Sequence, residues 1–144
     1  MTKDEVASLL DSLVEKESAV LDPPSANDWL QLERKFGCSF PEEFRYFIEL
    51  MAEYRFPGDI LNVSSGRSNG NDTIQFTYDD EMLSGFWDEV FIPFYSLGNG
   101  DYFCLCSKAC PDTGVYYYSH EDFSMIKEAA TFEEWLKKVD DFCN

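Results

Sequence analysis

Basic side chains are scarce in this 144-residue chain: 11 Lys and Arg stand against 28 Asp and Glu, a net charge of −17 at pH 7. Nucleic acid and anionic membranes are held mainly by Lys and Arg, so neither is an expected partner. Histidine occurs once, at His120, which leaves any Ser–His or Cys–His mechanism a single base to draw on. No run approaches the roughly 20 apolar residues of a membrane span. The five cysteines, Cys38, Cys104, Cys106, Cys110 and Cys143, are an odd number. That speaks against a secreted disulfide framework and for a reducing compartment. The start, Met1-Thr2-Lys3-Asp4-Glu5, lacks the basic-then-apolar layout of a signal peptide, and the cytoplasm is the expected location.

What the chain does have is apolar and aromatic mass: 44% hydrophobic residues and 17% aromatics, far too rich for a disordered segment. The length suits one domain over residues 1–144 with its own core. The acidity is spread along the chain rather than held in a tail, and residues 61–100 contain Arg67 as their only cation. The most loop-like stretch, residues 64–71, falls inside the domain.

Thr2 and Glu5 make a capping-box pattern, and Val6, Leu9, Leu10, Leu13 and Val14 form one helical stripe. Asp22-Pro23-Pro24 is the expected stop of that helix. Ser25 caps a second helix through Trp29, Leu30, Leu32 and Phe36, closed by Gly37 in a left-handed conformation. Pro41, Glu42 and Glu43 suit the first turn of a third, whose buried face is Phe44, Phe47, Ile48 and Met51. After Tyr54 the period becomes extended: residues 60–63, 73–78, 91–95, 102–106 and 115–118 read as short strands. Leu97-Gly98-Asn99-Gly100-Asp101 is a hairpin link. A last helix follows Thr131, with Glu134 completing a capping box and Phe132, Trp135, Leu136 and Val139 as its apolar stripe. The order predicts an α+β fold: N-terminal helices, a mainly antiparallel sheet of about five or six strands, and a C-terminal helix.

Motifs for chemistry are thin. Cys104-x-Cys106-x3-Cys110 with His120 nearby resembles a zinc pattern only loosely. Structural zinc prefers cysteine pairs two to four residues apart, whereas Cys104 and Cys106 alternate on one face of a strand and read as small buried side chains. Nothing like a nucleophile elbow surrounds His120. The carboxylate runs lack the alternating ligands and central glycine of a calcium loop, and Gly98 and Gly100 lack a dinucleotide fingerprint. No metal, cofactor or catalytic residue is therefore expected. What remains is acidity mixed with surplus aromatics: Phe86, Trp87, Tyr78, Tyr95, Tyr116, Tyr117 and Tyr118. Some of these suit strand packing, and others suit an interface for a basic protein.

Several segments are similar to a known family. Phe40-Pro41-Glu42-Glu43-Phe44-Arg45-Tyr46-Phe47-Ile48 resembles the proline, acidic, then aromatic helix of the SUKH superfamily, which includes bacterial immunity proteins and the fungal cell-wall assembly regulator. Trp29 resembles the family's preceding helix. Phe91-Ile92-Pro93-Phe94 with Gly98–Leu105 resembles its strand–glycine turn–strand, and Val115–Glu121 the next strand with a His-acidic exit. Ala130–Leu136 is similar to the closing helix. Met51-Ala52-Glu53-Tyr54 departs from the pattern, where the family often has an Asn-Gly turn, and Asn99 sits in a turn often richer in glycine. The resemblance covers roughly residues 25–142 and implies a SUKH-like α+β domain that binds proteins without chemistry. In bacteria it implies an immunity protein that occludes a polymorphic toxin, often a nuclease. The partner would then be a basic protein, secreted or delivered by contact, docked on Asp79, Asp80, Glu81, Trp87, Asp101, Glu121 and Asp122. A regulatory scaffold of the fungal type, a small hydrolase built around His120, and a structural module of a larger assembly are the competing expectations.

Overall fold

Helix signals near the N-terminus resolve into three helices, the first two opened by capping boxes. The computed structural model describes residues 1–16, 23–56, 58–63, 73–139 and 141. Helix α1, Lys3–Leu13, starts from the Thr2–Glu5 capping box and buries Val6 and Leu10. It ends well before the prolines. Val14 is already extended, Lys16 bridges to Tyr54, and Arg55 donates its N–H to the Glu15 carbonyl at 2.9 Å. The apolar stripe runs out at Val14, so pairing with the segment after α3 replaces a further helical turn. Helix α2, Ala26–Phe36, has its cap at Ser25 and ends at Gly37 with φ +65°. Helix α3, Glu42–Leu50, begins after Pro41 and buries Phe44, Phe47, Ile48 and Leu50; Met51 is half-buried in a following 3-10 turn, Met51–Glu53.

Among the described residues five strands follow: β1 Asp59–Ile60, β2 Phe91–Ser96, β3 Tyr102–Cys106, β4 Val115–Ser119 and β5 Ser124–Ala129. They form one antiparallel meander in the order β1-β2-β3-β4-β5. Helix α5, Phe132–Lys137, packs back on the sheet. The α+β architecture is thus as the sequence implies, with three differences inside it. The stretch from Thr73 is a helix, α4 Ile74–Met82, because the Thr73 hydroxyl accepts the Phe76 N–H and only Ile74 is buried. A strand needs a partner ladder, and beside β2 that place is taken by residues 59–60. β1 is also shorter than residues 60–63: Leu61 still bonds to Phe94, but Asn62 turns away to bridge Thr73. Finally β5 (SMIKEA) has little β-propensity and is held by pairing with β4. Residues 64–71, Asp22 and Cys143 lie outside the described residues.

The sheet separates two apolar clusters. Phe103 and Leu105 face the main core, where α1, α3 and α5 bring Val6, Leu10, Phe44, Phe47, Phe132, Trp135 and Leu136. Tyr102 and Cys104, alternating with them, face a smaller cluster with Trp87 and Tyr118. Helix α4 lies beside this second face, joined to α2 by the Phe36–Tyr78 ring contact at 4.8 Å and the Lys35–Asp79 ion pair at 2.8 Å.

Candidate protein-docking face

Two loops converge on the side of the second cluster. Helix α4 runs out through Met82 and Leu83, then turns at Gly85 with φ +80°. The Phe86 N–H bonds the Ser84 hydroxyl at 3.2 Å, which fixes the start of the next segment. Trp87 points inward, 7% exposed, with its Nε1–H donated to the Phe91 carbonyl at 2.9 Å and its ring against Tyr102 and Tyr118. Its neighbour Phe86 points outward. From the other side, the β4–β5 connection carries Glu121, Asp122 and Phe123, all exposed. The Asp122 carboxylate accepts the Ser124 N–H at 3.1 Å, and its bonds from Ser124 hold its pKa below the ordinary carboxylate value. Phe123 has φ +58°, a conformation rare for a bulky residue.

Phe86 and Phe123 meet there. Their rings stack at 4.6 Å and 10°, yet they remain 66% and 52% exposed. Met82 and Leu83 are exposed beside them in the chain, Leu83 at 86%. Asp80, Asp88, Glu89, Glu121 and Asp122 are also exposed, and none of them forms an ion pair with a described cation. The result is an apolar surface within an acidic setting.

The expected docking residues divide between this surface and its supports. Asp79 and Asp80 are exposed on α4, with Asp79 paired to Lys35. Glu81 is half-buried and accepts the Tyr102 hydroxyl at 3.0 Å; burial first, then this bond, raises the Tyr102 pKa. Glu121 and Asp122 are on the β4–β5 turn. Trp87 and Asp101 lie inside and buttress the loops from behind. The Asp101 carboxylate takes the Tyr117 hydroxyl on one oxygen, and on the other the His120 N–H at 2.9 Å and His120 Nδ1 at 2.6 Å. Burial pushes the Asp101 pKa up, but these bonds outweigh it and hold the acid below its ordinary value. Tyr117 is raised to about 12 by burial and by the same carboxylate. This knot ties the β2–β3 hairpin to the end of β4.

Gly100 sits against the knot at φ +98°, where an added Cβ would lie 2.9 Å from His120 Cγ. Gly100→Ala is expected to cost about 1–3 kcal/mol, read from urea unfolding, because both the backbone conformation and the ring contact oppose it.

The residues considered for chemistry are placed otherwise. Cys104 is fully buried, and burial raises its thiol pKa. The Cys110 thiol donates to the Cys106 carbonyl at 3.4 Å. Among the described residues no three His, Cys, Asp or Glu side chains are arranged to hold a metal, and no helix is long and apolar enough to cross a membrane. His120 Nδ1 is held by Asp101, and no described hydroxyl or thiol bonds to the ring. A cleft of about 350 Å³ lies between α5 and the sheet, lined by Phe103, Tyr117, Trp135, Glu128, Lys138 and Asp141. There Lys138 donates to the Glu128 carbonyl at 2.9 Å.

Sequence alone does not mark Phe123 as a surface residue, because Ser124–Ala129 has no strand pattern and the turn before it then lacks a second strand. The signal was present: an aromatic residue directly after Glu121-Asp122, where the chain must reverse. The sequence model of the family SUKH_5, described as SMI1-KNR4 cell-wall, matches residues 4–140. No curated protein matches the chain.

Proposed function

The chain belongs to the SUKH superfamily, and from that premise we propose that it is a non-enzymatic protein-binding domain acting as an immunity protein in the cytoplasm. It neutralises a basic toxin, of which a nuclease is the best fit, by covering its active site. The observation that carries this reading is the docking face: exposed Asp80, Asp88, Glu89, Glu121 and Asp122, which form no ion pair with a described cation, on the segments that carry the exposed Phe86–Phe123 stack. A nuclease must be basic where it holds phosphates, so an acidic domain can occupy that site and be steered to it.

The test begins with recovery of bound proteins from the source cells at low and high salt. The recovered partner is then assayed for activity with and without this protein. A basic toxin that is silenced on binding supports the reading. Converting Asp79, Asp80, Glu121 and Asp122 to Lys is expected to slow association about tenfold or more at low salt and much less at high salt. Unchanged association would rule out this face.

The family description, with its cell-wall reference, favours a second reading, a regulatory scaffold. A wall-synthesis or signalling partner whose activity is redirected rather than blocked would select it. A hydrolase built on His120 would instead show turnover that His120→Ala abolishes in a folded protein.

A further inference from the structure

The Phe86–Phe123 stack is costly as a purely internal feature. Both rings are more than half exposed, so the contact excludes little water compared with a core pair. Phe123 also holds a left-handed backbone, φ +58°, that glycine or asparagine would adopt with less strain. In a parallel pair the inner faces cover one another, so the exposure that remains lies on the outer faces and edges. A rigid aromatic surface is thus presented at the meeting point of two loops.

Its electrostatic setting narrows what can sit on it. Glu121 and Asp122 directly precede Phe123, and Asp88 follows Phe86 by two residues. At about 3.8 Å per residue the backbone positions of these carboxylates lie within about 8 Å of those of the rings. A purely apolar occupant would desolvate them without compensation. Lysine would satisfy the charge but has no plane to stack. A guanidinium does both, lying flat on an aromatic face while its N–H fork reaches a carboxylate.

We propose that the Phe86–Phe123 stack is an arginine-binding platform, on which an arginine of the partner protein stacks while Glu121, Asp122 or Asp88 accepts its N–H groups. This deepens the docking role assigned above and rests on it for the identity of the partner, while its own chemistry can be tested alone.

The full chain is titrated with the peptide Gly-Arg-Gly-Arg-Gly and with its Lys and Leu counterparts, followed by the NMR signals of the phenylalanine rings. The Arg peptide is expected to shift the Phe86 and Phe123 signals and to bind about two- to fivefold more tightly than the Lys peptide. Phe123→Gly is expected to reduce Arg-peptide affinity by about the same factor, while the thermal midpoint stays level or rises as the backbone strain is relieved. Phe86→Ala provides the second variant and should lose the same preference for arginine.

Equal affinity for the Arg and Lys peptides would mean that the acidic field alone attracts them and would overturn the platform. So would a lowered midpoint in Phe123→Gly with unchanged affinity, which is the signature of a purely structural stack. Preference for the Leu peptide would identify an apolar occupant, and concentration-dependent ring shifts without peptide would identify a second copy of the chain. Either also overturns it. The two readings separate cleanly: arginine selectivity at the rings without neutralisation of any toxin would refute immunity and retain the platform. Toxin binding that survives both ring substitutions would do the reverse.

Discussion

Phe44→Ala is expected to remove about 3–5 kcal/mol of stability, a large fraction of what a domain of this size possesses. Phe44 is completely buried in α3 and sits where four other elements or loops meet. Its ring packs edge-on or tilted against Trp29 of α2 at 6.0 Å, Phe40 at 5.4 Å, Phe94 of β2 at 5.6 Å and Phe132 of α5 at 5.4 Å. Such pairs add to simple area burial because each ring edge meets a neighbour's face. Truncation leaves a hole whose walls are themselves rigid rings, so the site cannot collapse around it and the loss falls toward the upper part of the range. Urea unfolding followed by tryptophan fluorescence would measure it, with Phe76→Ala on α4 as a contrast. Phe76 is 47% exposed, and its truncation is expected to change stability by no more than about 0.5 kcal/mol. A loss below about 1 kcal/mol at Phe44 would mean that the ring cluster is not the centre of the core.

The same cluster explains why much of the fold was legible in sequence. Each of its members occurs in a segment with a strong local signal. Ser25 and Gly37 bracket α2, Pro41-Glu42-Glu43 opens α3, and Thr131 opens α5, where its hydroxyl accepts the Glu134 N–H. Even there the detail differs, since the Glu134 carboxylate takes the Ala130 N–H rather than closing the box on the cap. The segments that misled have signals that tertiary structure overrides. Thr73–Tyr78 alternates Thr, Ile, Gln, Phe, Thr and Tyr, a pattern equally good for a strand, and only the Thr73 cap and the lack of a free ladder decide for helix. Ser124–Ala129 contains Met, Lys, Glu and Ala, which favour helix, and becomes a strand because β4 offers it a pairing edge. The docking face inherits both misreadings. Its acidic runs were visible as charge, but its two-ring surface depends on α4 ending in a turn and on β5 existing, and no local period encodes either.

Asp101→Asn is expected to cost about 2–4 kcal/mol near neutral pH, because an amide would present N–H groups to donors that now share one carboxylate. Those donors are the Tyr117 hydroxyl and the His120 backbone N–H, with the imidazole Nδ1 beside them. The cost has a pH signature. The folded state holds the Asp101 pKa below its ordinary value, since the bonds to the carboxylate outweigh the opposing effect of burial. A depressed acid contributes stability that is fully present above its unfolded pKa, about 3.9, and is lost as pH falls through the lower folded value. The stability gap between wild type and Asp101→Asn is therefore expected to be level at pH 5 and above, so far as Asp101 is concerned, and to shrink below about pH 4. Working with the gap removes the background effect of neutralising the other carboxylates, which both proteins share. Asp79→Asn serves as the control: its ion pair with Lys35 is on the surface and its removal is expected to cost no more than about 1 kcal/mol. Urea titrations at pH 5 and pH 3 would read both. A gap at Asp101 that does not narrow on acidification would mean that the carboxylate's charge contributes nothing to the knot. The backing of the docking loops would then rest on Trp87, packed with Tyr102 and Tyr118, and not on the charge at Asp101.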